Sequence, residues 1–184
     1  MFNHFLDSIN VRSQTITFAV VLIFLSTLVS RILGLIRDRL LASRFGAGAE
    51  LDVYFAAFRI PDLVYGLLVM GGVVSIFLPV FSQYYQKSKD EAWELTNNVL
   101  NAFLVFLVLI CGILAIFTPS LMRLIAPGFS LEQKNLAIVL TRIMFLSPLF
   151  FGLSSVFSGV LLYFHRFLAY SIAPVLYNLG IILG

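Results

Sequence analysis

Of the 184 residues, 60% are hydrophobic and only 11% are charged, and the mean hydropathy is +1.01. A soluble domain carries about 25% charged residues, so this chain cannot cover itself with polar surface in water and lipid must be its solvent. The formal charge of +3 includes no dense basic run, and the aromatic residues sit among aliphatic ones, which excludes a nucleic-acid partner.

Met1 to Gln14 has neither the basic leader nor the small-residue cleavage site of a secretory signal. It reads as a frayed tail or as an interfacial helix with Phe2, Phe5, Leu6 and Ile9 on one side. Residues 15–184 read as one bundle of about five transmembrane helices, an all-α polytopic membrane fold. A crossing needs about 20 apolar residues. The first run extends from about Thr15 to Arg37. The second, Asp52 to Tyr84, is too long for one straight crossing, and Pro61, Gly71-Gly72 and Pro79 predict a kink or break. The third runs from Thr96 to Phe117 and is closed by Thr118-Pro119. The fourth, Leu131 to Phe164, is again over-long and contains Pro148, Gly152 and Gly159. The fifth begins near Phe167 and is still apolar at Gly184, which implies that the chain is the front part of a longer protein, because a terminal carboxylate is costly in hydrocarbon.

The connections carry their own signals. Ser43 to Glu50 is a glycine-rich turn, and Gln86 to Glu94 is charged in both signs, with Trp93 placed as an interfacial anchor. Ser130-Leu131-Glu132-Gln133 matches a capping box. Lys and Arg near alternate helix ends split five to four, so charge alone assigns no orientation.

The informative residues are charges at membrane depth, where an isolated one costs roughly 2.5–3.5 kcal/mol. On a helical wheel Thr27, Ser30, Arg31, Gly34, Arg37 and Asp38 fall within about 120° of arc, opposite an aliphatic face. Two readings follow. In one, Arg31 and Arg37 are anchors that snorkel to the interface. In the other, they line a cationic, wet cavity that receives an anionic ligand, since guanidinium forks match phosphate oxygens. The second run adds Asp52, either a helix cap or a cavity acid. It also adds Arg59 and Asp62 at an i,i+3 spacing, with Pro61 between them as an interruption of the kind that lines transporter sites. Arg142 faces the same cavity or an interface, and His165-Arg166 reads as a boundary pair.

Nothing in the chain points to catalysis. Gly46-Ala47-Gly48 lacks the spacing and the lysine of a phosphate loop. There is no zinc-type cluster, and Cys111 is the single cysteine. The expectation is a non-enzyme without metal or cofactor.

Several strings, in this order and spacing, resemble the MurJ/MviN lipid II flippase family of the multidrug/oligosaccharidyl-lipid/polysaccharide exporter superfamily. They are Ser30-Arg31-Ile32-Leu33-Gly34-Leu35-Ile36-Arg37-Asp38, Phe45-Gly46-Ala47-Gly48 with Asp52, Ala57-Phe58-Arg59-Ile60-Pro61, Phe77-Leu78-Pro79-Val80, Ala126-Pro127-Gly128-Phe129, Arg166-Phe167 and Ala173-Pro174-Val175-Leu176-Tyr177-Asn178. The resemblance implies a bacterial inner-membrane exporter of two lobes with its N-terminus in the cytoplasm. This chain would form the first part of the N-terminal lobe, and the C-terminal lobe of the same protein would be its partner. The resemblance also implies that lipid II, an undecaprenyl diphosphate sugar-pentapeptide, is moved by alternating access. The family's first-helix arginines fall on Arg31 and Arg37, and its aspartate at the start of the second helix falls on Asp52. Where the family follows its proline with Asn, an arginine pair and Ala-Glu-Gly, this chain has Asp62, Tyr65-Gly66 and Val69-Met70-Gly71. Arg59, one turn earlier, is the candidate substitute for the missing arginine. The expected substrate-binding set is Arg31, Arg37 and Arg59, with Ser30, Asp38 and Asp52 in support and Pro61, Gly71 and Gly72 as a hinge. Rival expectations are an exporter of another undecaprenyl-linked glycan, a multidrug antiporter of the same superfamily, and a non-transporting scaffold or pseudogene fragment.

Overall fold

The computed structural model describes residues 16–46, 48–68 and 74–183, and every regular element among them is helical. The N-terminal segment 1–14 and the glycines Gly71 and Gly72 lie outside the described residues. The helices are α1 (Ile16–Phe45), α2 (Ala49–Val64), α3 (Val74–Lys87), α4 (Lys89–Ile125), α5 (Leu131–Met144), α6 (Leu146–Tyr163) and α7 (Phe167–Leu183).

Three helical runs are long and apolar enough to cross a bilayer: Thr17–Phe45, Lys89–Ile125 and Leu131–Tyr163, with mean hydropathies of 2.4, 2.9 and 2.0. Phe167–Leu183 is a shorter apolar helix. Large apolar side chains such as Phe24, Leu35, Ile116 and Leu124 stand exposed along these runs, an arrangement that only a hydrocarbon solvent tolerates. The chain is thus an all-α polytopic membrane protein.

Several helix ends differ from expectation. α1 does not stop at Arg37 but continues to Phe45, because Leu40, Leu41 and Ala42 are good helix formers. It ends before Gly46, whose φ of 71° suits a residue without a Cβ. α2 is capped by the backbone of Gly48 without a side-chain bond, so Asp52 is not the cap. Asp52 instead joins Glu50 in the first turn, where carboxylates favour the positive end of the helix dipole. Pro61 lies inside α2 and is buried; the interruption comes later, where residues 65–68 widen into a π-helical turn.

α4 overruns its predicted close at Thr118-Pro119 and reaches Ile125. Pro119 has no N–H to donate to the carbonyl of Ala115 four residues earlier. The Arg142 Nε of α5 donates to that carbonyl at 3.1 Å instead, so the helix passes through its proline with the vacated acceptor filled. The over-long fourth run divides into α5 and α6 at Phe145, three residues before Pro148, whose missing N–H and ring fall against the carbonyl of Met144, the last residue of α5. At Ser130 the capping box is complete: Gln133 N–H donates to Ser130 Oγ at 3.2 Å and Ser130 N–H donates to Gln133 Oε1 at 2.7 Å.

The chain divides into two compact units, one of residues 1–46 with 160–184 and the other of residues 47–159. In the first, α1 pairs with α7. In the second, α2 packs on α5, α3 on α4, and α4 on α5. The α2 face is Val53, Ala56, Ala57, Ile60, Pro61 and Val64, all buried, a 3.6-residue period. It closes a core with Leu107, Cys111, Met122, Ala137 and Phe145. A Cβ on Gly152 would overlap Leu107 Cδ1 and lie 3.2 Å from Phe103 Cε1, so this glycine lets α6 approach α4 closely. Gly152→Leu is therefore expected to destabilise by about 1–3 kcal/mol through overpacking. A lowered melting temperature of the purified protein would show this, and an unchanged one would refute it.

Candidate functional site

The polar content of α1 gathers on and beside its seam with α7. Ser26, Ser30 and Gly34 recur every four residues, a small-residue spacing that lets two helices approach closely in a membrane. Across the seam, Ser26 Oγ donates to Ser171 Oγ at 3.1 Å and Ser30 Oγ donates to the Pro174 carbonyl at 3.2 Å. Asn178 of α7 is buried, 8% exposed. Its Nδ2 donates to the Ser30 carbonyl at 3.1 Å, to Ser30 Oγ at 3.0 Å and to the Pro174 carbonyl at 3.1 Å. Each such bond across a membrane seam is worth about 0.6–2 kcal/mol.

Arg37 sits at the end of this stripe and is held from two sides. Its Nε and Nη2 both lie 2.9 Å from Asp38 Oδ1, and its Nη1 donates to Asn178 Oδ1 at 3.2 Å. A guanidinium has five N–H donors in a rigid fork. Three are engaged here, which leaves one on each terminal nitrogen, and two N–H groups on one plane are what bidentate phosphate recognition uses. The side chain is 24% exposed, so it is not sealed inside the seam.

The other predicted residues are placed differently. Arg31 is exposed, about 120° around α1 from Arg37 by helical geometry, and among the described residues it makes no side-chain hydrogen bond or ion pair. It stands about 22 Å along the axis from Ile16, near the middle of the 30-residue α1. Asp52, Arg59 and Pro61 belong to the second compact unit. Asp52, Arg59 and Asp62 are all exposed on α2, off its buried face. The i,i+3 spacing of Arg59 and Asp62 does not produce an ion pair; Arg37–Asp38 is the salt bridge found among the described residues. Arg142 gives one of its five N–H groups, Nε, to the Ala115 carbonyl and so ties α5 to α4. His165 adopts a left-handed φ of 55° in the turn between α6 and α7, a shape-setting position.

Sequence reasoning did not single out Asn178, the buried amide that accepts from Arg37. The signal was available: an amide in the apolar α7 is a polar group at membrane depth and needs partners. Among the described residues, no group of three or more His, Cys, Asp and Glu side chains comes together to hold a metal. A cleft of about 450 Å³ between α3 and α4 is lined by Ile76, Phe77, Val80, Leu95, Val99, Ala102, Phe103 and Phe106. With no polar side chain in that lining, it offers no donor to an anion.

The family model described as lipid II flippase MurJ matches residues 41–184. The chain is 36% identical over 173 residues to the lipid II flippase MurJ of Thermosipho africanus, covering 93% of this chain and 35% of that protein. It is 34% identical over 161 residues to the probable lipid II flippase MurJ of Rhizobium tropici, covering 85% and 30%. It is 30% identical over 166 residues to the corresponding protein of Rickettsia prowazekii, covering 89% and 32%. The chain spans about a third of the length of the curated relatives it matches. A family match across most of the chain, together with relatives 30–36% identical over most of its length, places it in the MurJ lipid II flippase family.

Proposed function

We propose that this chain supplies part of the cationic binding surface of a bacterial inner-membrane flippase that moves lipid II by alternating access, with Arg31 and Arg37 as ligands for the diphosphate. The observation that carries the reading is Arg37, fixed by Asp38 and Asn178 with two N–H donors left over. A diphosphate crossing hydrocarbon has to keep its charge compensated, and a pre-oriented guanidinium does so without reorganising. Arg31 supports the same reading. An unpartnered guanidinium midway along an apolar helix is costly against lipid, and water with an anionic ligand relieves that cost. Arg59, exposed and unpartnered on α2 among the described residues, is a third candidate ligand. Ser30, Asp38 and Asp52 are supporting polar residues, and Pro61 with Gly71-Gly72 is the candidate hinge.

The phosphate chemistry would serve any polyprenyl diphosphate. The choice of lipid II rests on the names of the relatives. The N-terminus is assigned to the cytoplasm in keeping with the family resemblance, and the remaining lobe of the full-length protein completes the transport path. The test is expression of the full-length gene in a bacterium depleted of its own lipid II flippase. Restored growth, with lipid II becoming accessible at the outer leaflet, is the expected result. Failure of both in cells that hold the protein in their membrane would overturn the proposal.

A further inference from the structure

We infer that Asn178 is a positioning residue for Arg37, which it orients for a phosphate-bearing ligand without cancelling its charge. The inference rests on the reading of Arg37 as a diphosphate ligand and adds the group that sets its direction.

The orientation of the Asn178 amide follows from its surroundings. On one side are the carbonyls of Ser30 and Pro174 and the Ser30 hydroxyl, at 3.0–3.1 Å from Nδ2. On the other is the Arg37 guanidinium, 3.2 Å from Oδ1. A flipped amide would set oxygen against two carbonyl oxygens and NH2 against a cation, so one orientation alone satisfies every neighbour. Ser30 Oγ fits the same order: it accepts from Asn178 and donates to the Pro174 carbonyl. The Asn178 oxygen is therefore a fixed acceptor, locked by two amide N–H groups that share three acceptors on its other side.

Asp38 cannot set the direction of Arg37 by itself. It is the next residue in the chain and 50% exposed, so it restrains the arginine from within α1 alone. Asn178 is buried on a different helix and ties the guanidinium to α7. A neutral amide also suits this position better than an acid. Asp38 already contributes one negative charge beside Arg37, and a second carboxylate would leave little net attraction for an anion. Gly34 gives the arrangement room: a Cβ there would sit 3.7 Å from Asn178 Oδ1, and a longer side chain would push into the amide.

The test is equilibrium binding of undecaprenyl diphosphate to the full-length protein in nanodiscs. The variants are Asn178→Ala, Arg37→Ala, the double variant, and Ser26→Ala. Ser26→Ala removes a hydroxyl bond from the same seam without touching Arg37. Asn178→Ala is expected to weaken binding about 10-fold, the scale on which outer partners of ligating side chains act in metal sites. In the Arg37→Ala background the same change should have no further effect. Ser26→Ala should lower the melting temperature and leave binding unchanged. Asn178→Ser keeps a hydroxyl able to bond the Pro174 carbonyl but does not reach Arg37, so it should fold and still bind as weakly as the alanine variant. Equal losses in both arginine backgrounds would show that Asn178 acts through the seam alone and overturn the inference, as would undiminished binding by Asn178→Ser. If Arg37→Ala binds as well as the parent, the reading of Arg37 fails first and takes this inference with it.

Discussion

Replacing Arg37 with alanine in the full-length protein is expected to abolish growth of a flippase-depleted bacterium while the protein still reaches the membrane. The charge-assisted hydrogen bonds of a guanidinium to a phosphate are worth about 1.5–3 kcal/mol, so affinity for a polyprenyl diphosphate should fall about 10- to 100-fold. Arg37→Lys should fare little better. One ammonium cannot hold Asp38 and Asn178 at their observed positions and also present a planar pair of donors. Arg31→Ala should match the loss of binding with a smaller change in stability, because Arg31 has no side-chain partner among the described residues to lose. Binding measured beside membrane abundance separates the cavity reading from anchoring. An anchor variant would lose abundance and keep the affinity of whatever protein remains. Wild-type affinity in both alanine variants would end the cationic-site reading.

The contrast between Arg31 and Arg37 also marks the limit of a helical wheel. The wheel groups Thr27, Ser30, Arg31, Gly34, Arg37 and Asp38 into one polar sector. Within that sector the structure draws a line: Ser30, Gly34 and Arg37 face α7, while Thr27, Arg31 and Asp38 are exposed on the flank. The side on which a neighbouring helix docks is tertiary information, and no periodicity in α1 contains it. The membrane class, the all-helical architecture and the capping box at Ser130 were legible because they rest on composition and local spacing. The proline signals were read correctly as irregularities but not as to outcome. Pro61 passes inside α2, Pro119 inside α4, and Pro148 stands near a division between helices. At Pro119 a distant group fills the acceptor that the proline vacates. That group is Arg142, 23 residues further along the chain.

That exchange leads to the second large expected effect. Arg142→Ala leaves the Ala115 carbonyl without its 3.1 Å donor, in a helix whose own N–H at residue 119 is missing. An acceptor stripped of its partner away from water costs about 1–3 kcal/mol, so the melting temperature of the purified protein should drop by several degrees. The cause is testable by restoring the donor inside α4. Pro119→Ala returns a backbone N–H to the Ala115 carbonyl, and in that background Arg142→Ala should cost far less. The coupling between the two changes, measured as a double-mutant cycle, isolates the exchange of one donor for another. Additive losses would mean instead that Arg142 acts through its own packing or charge. Affinity for a polyprenyl diphosphate, measured on the same four proteins, should stay constant, because the donor exchanged lies in the α4–α5 hairpin and the proposed ligands Arg31 and Arg37 lie on α1.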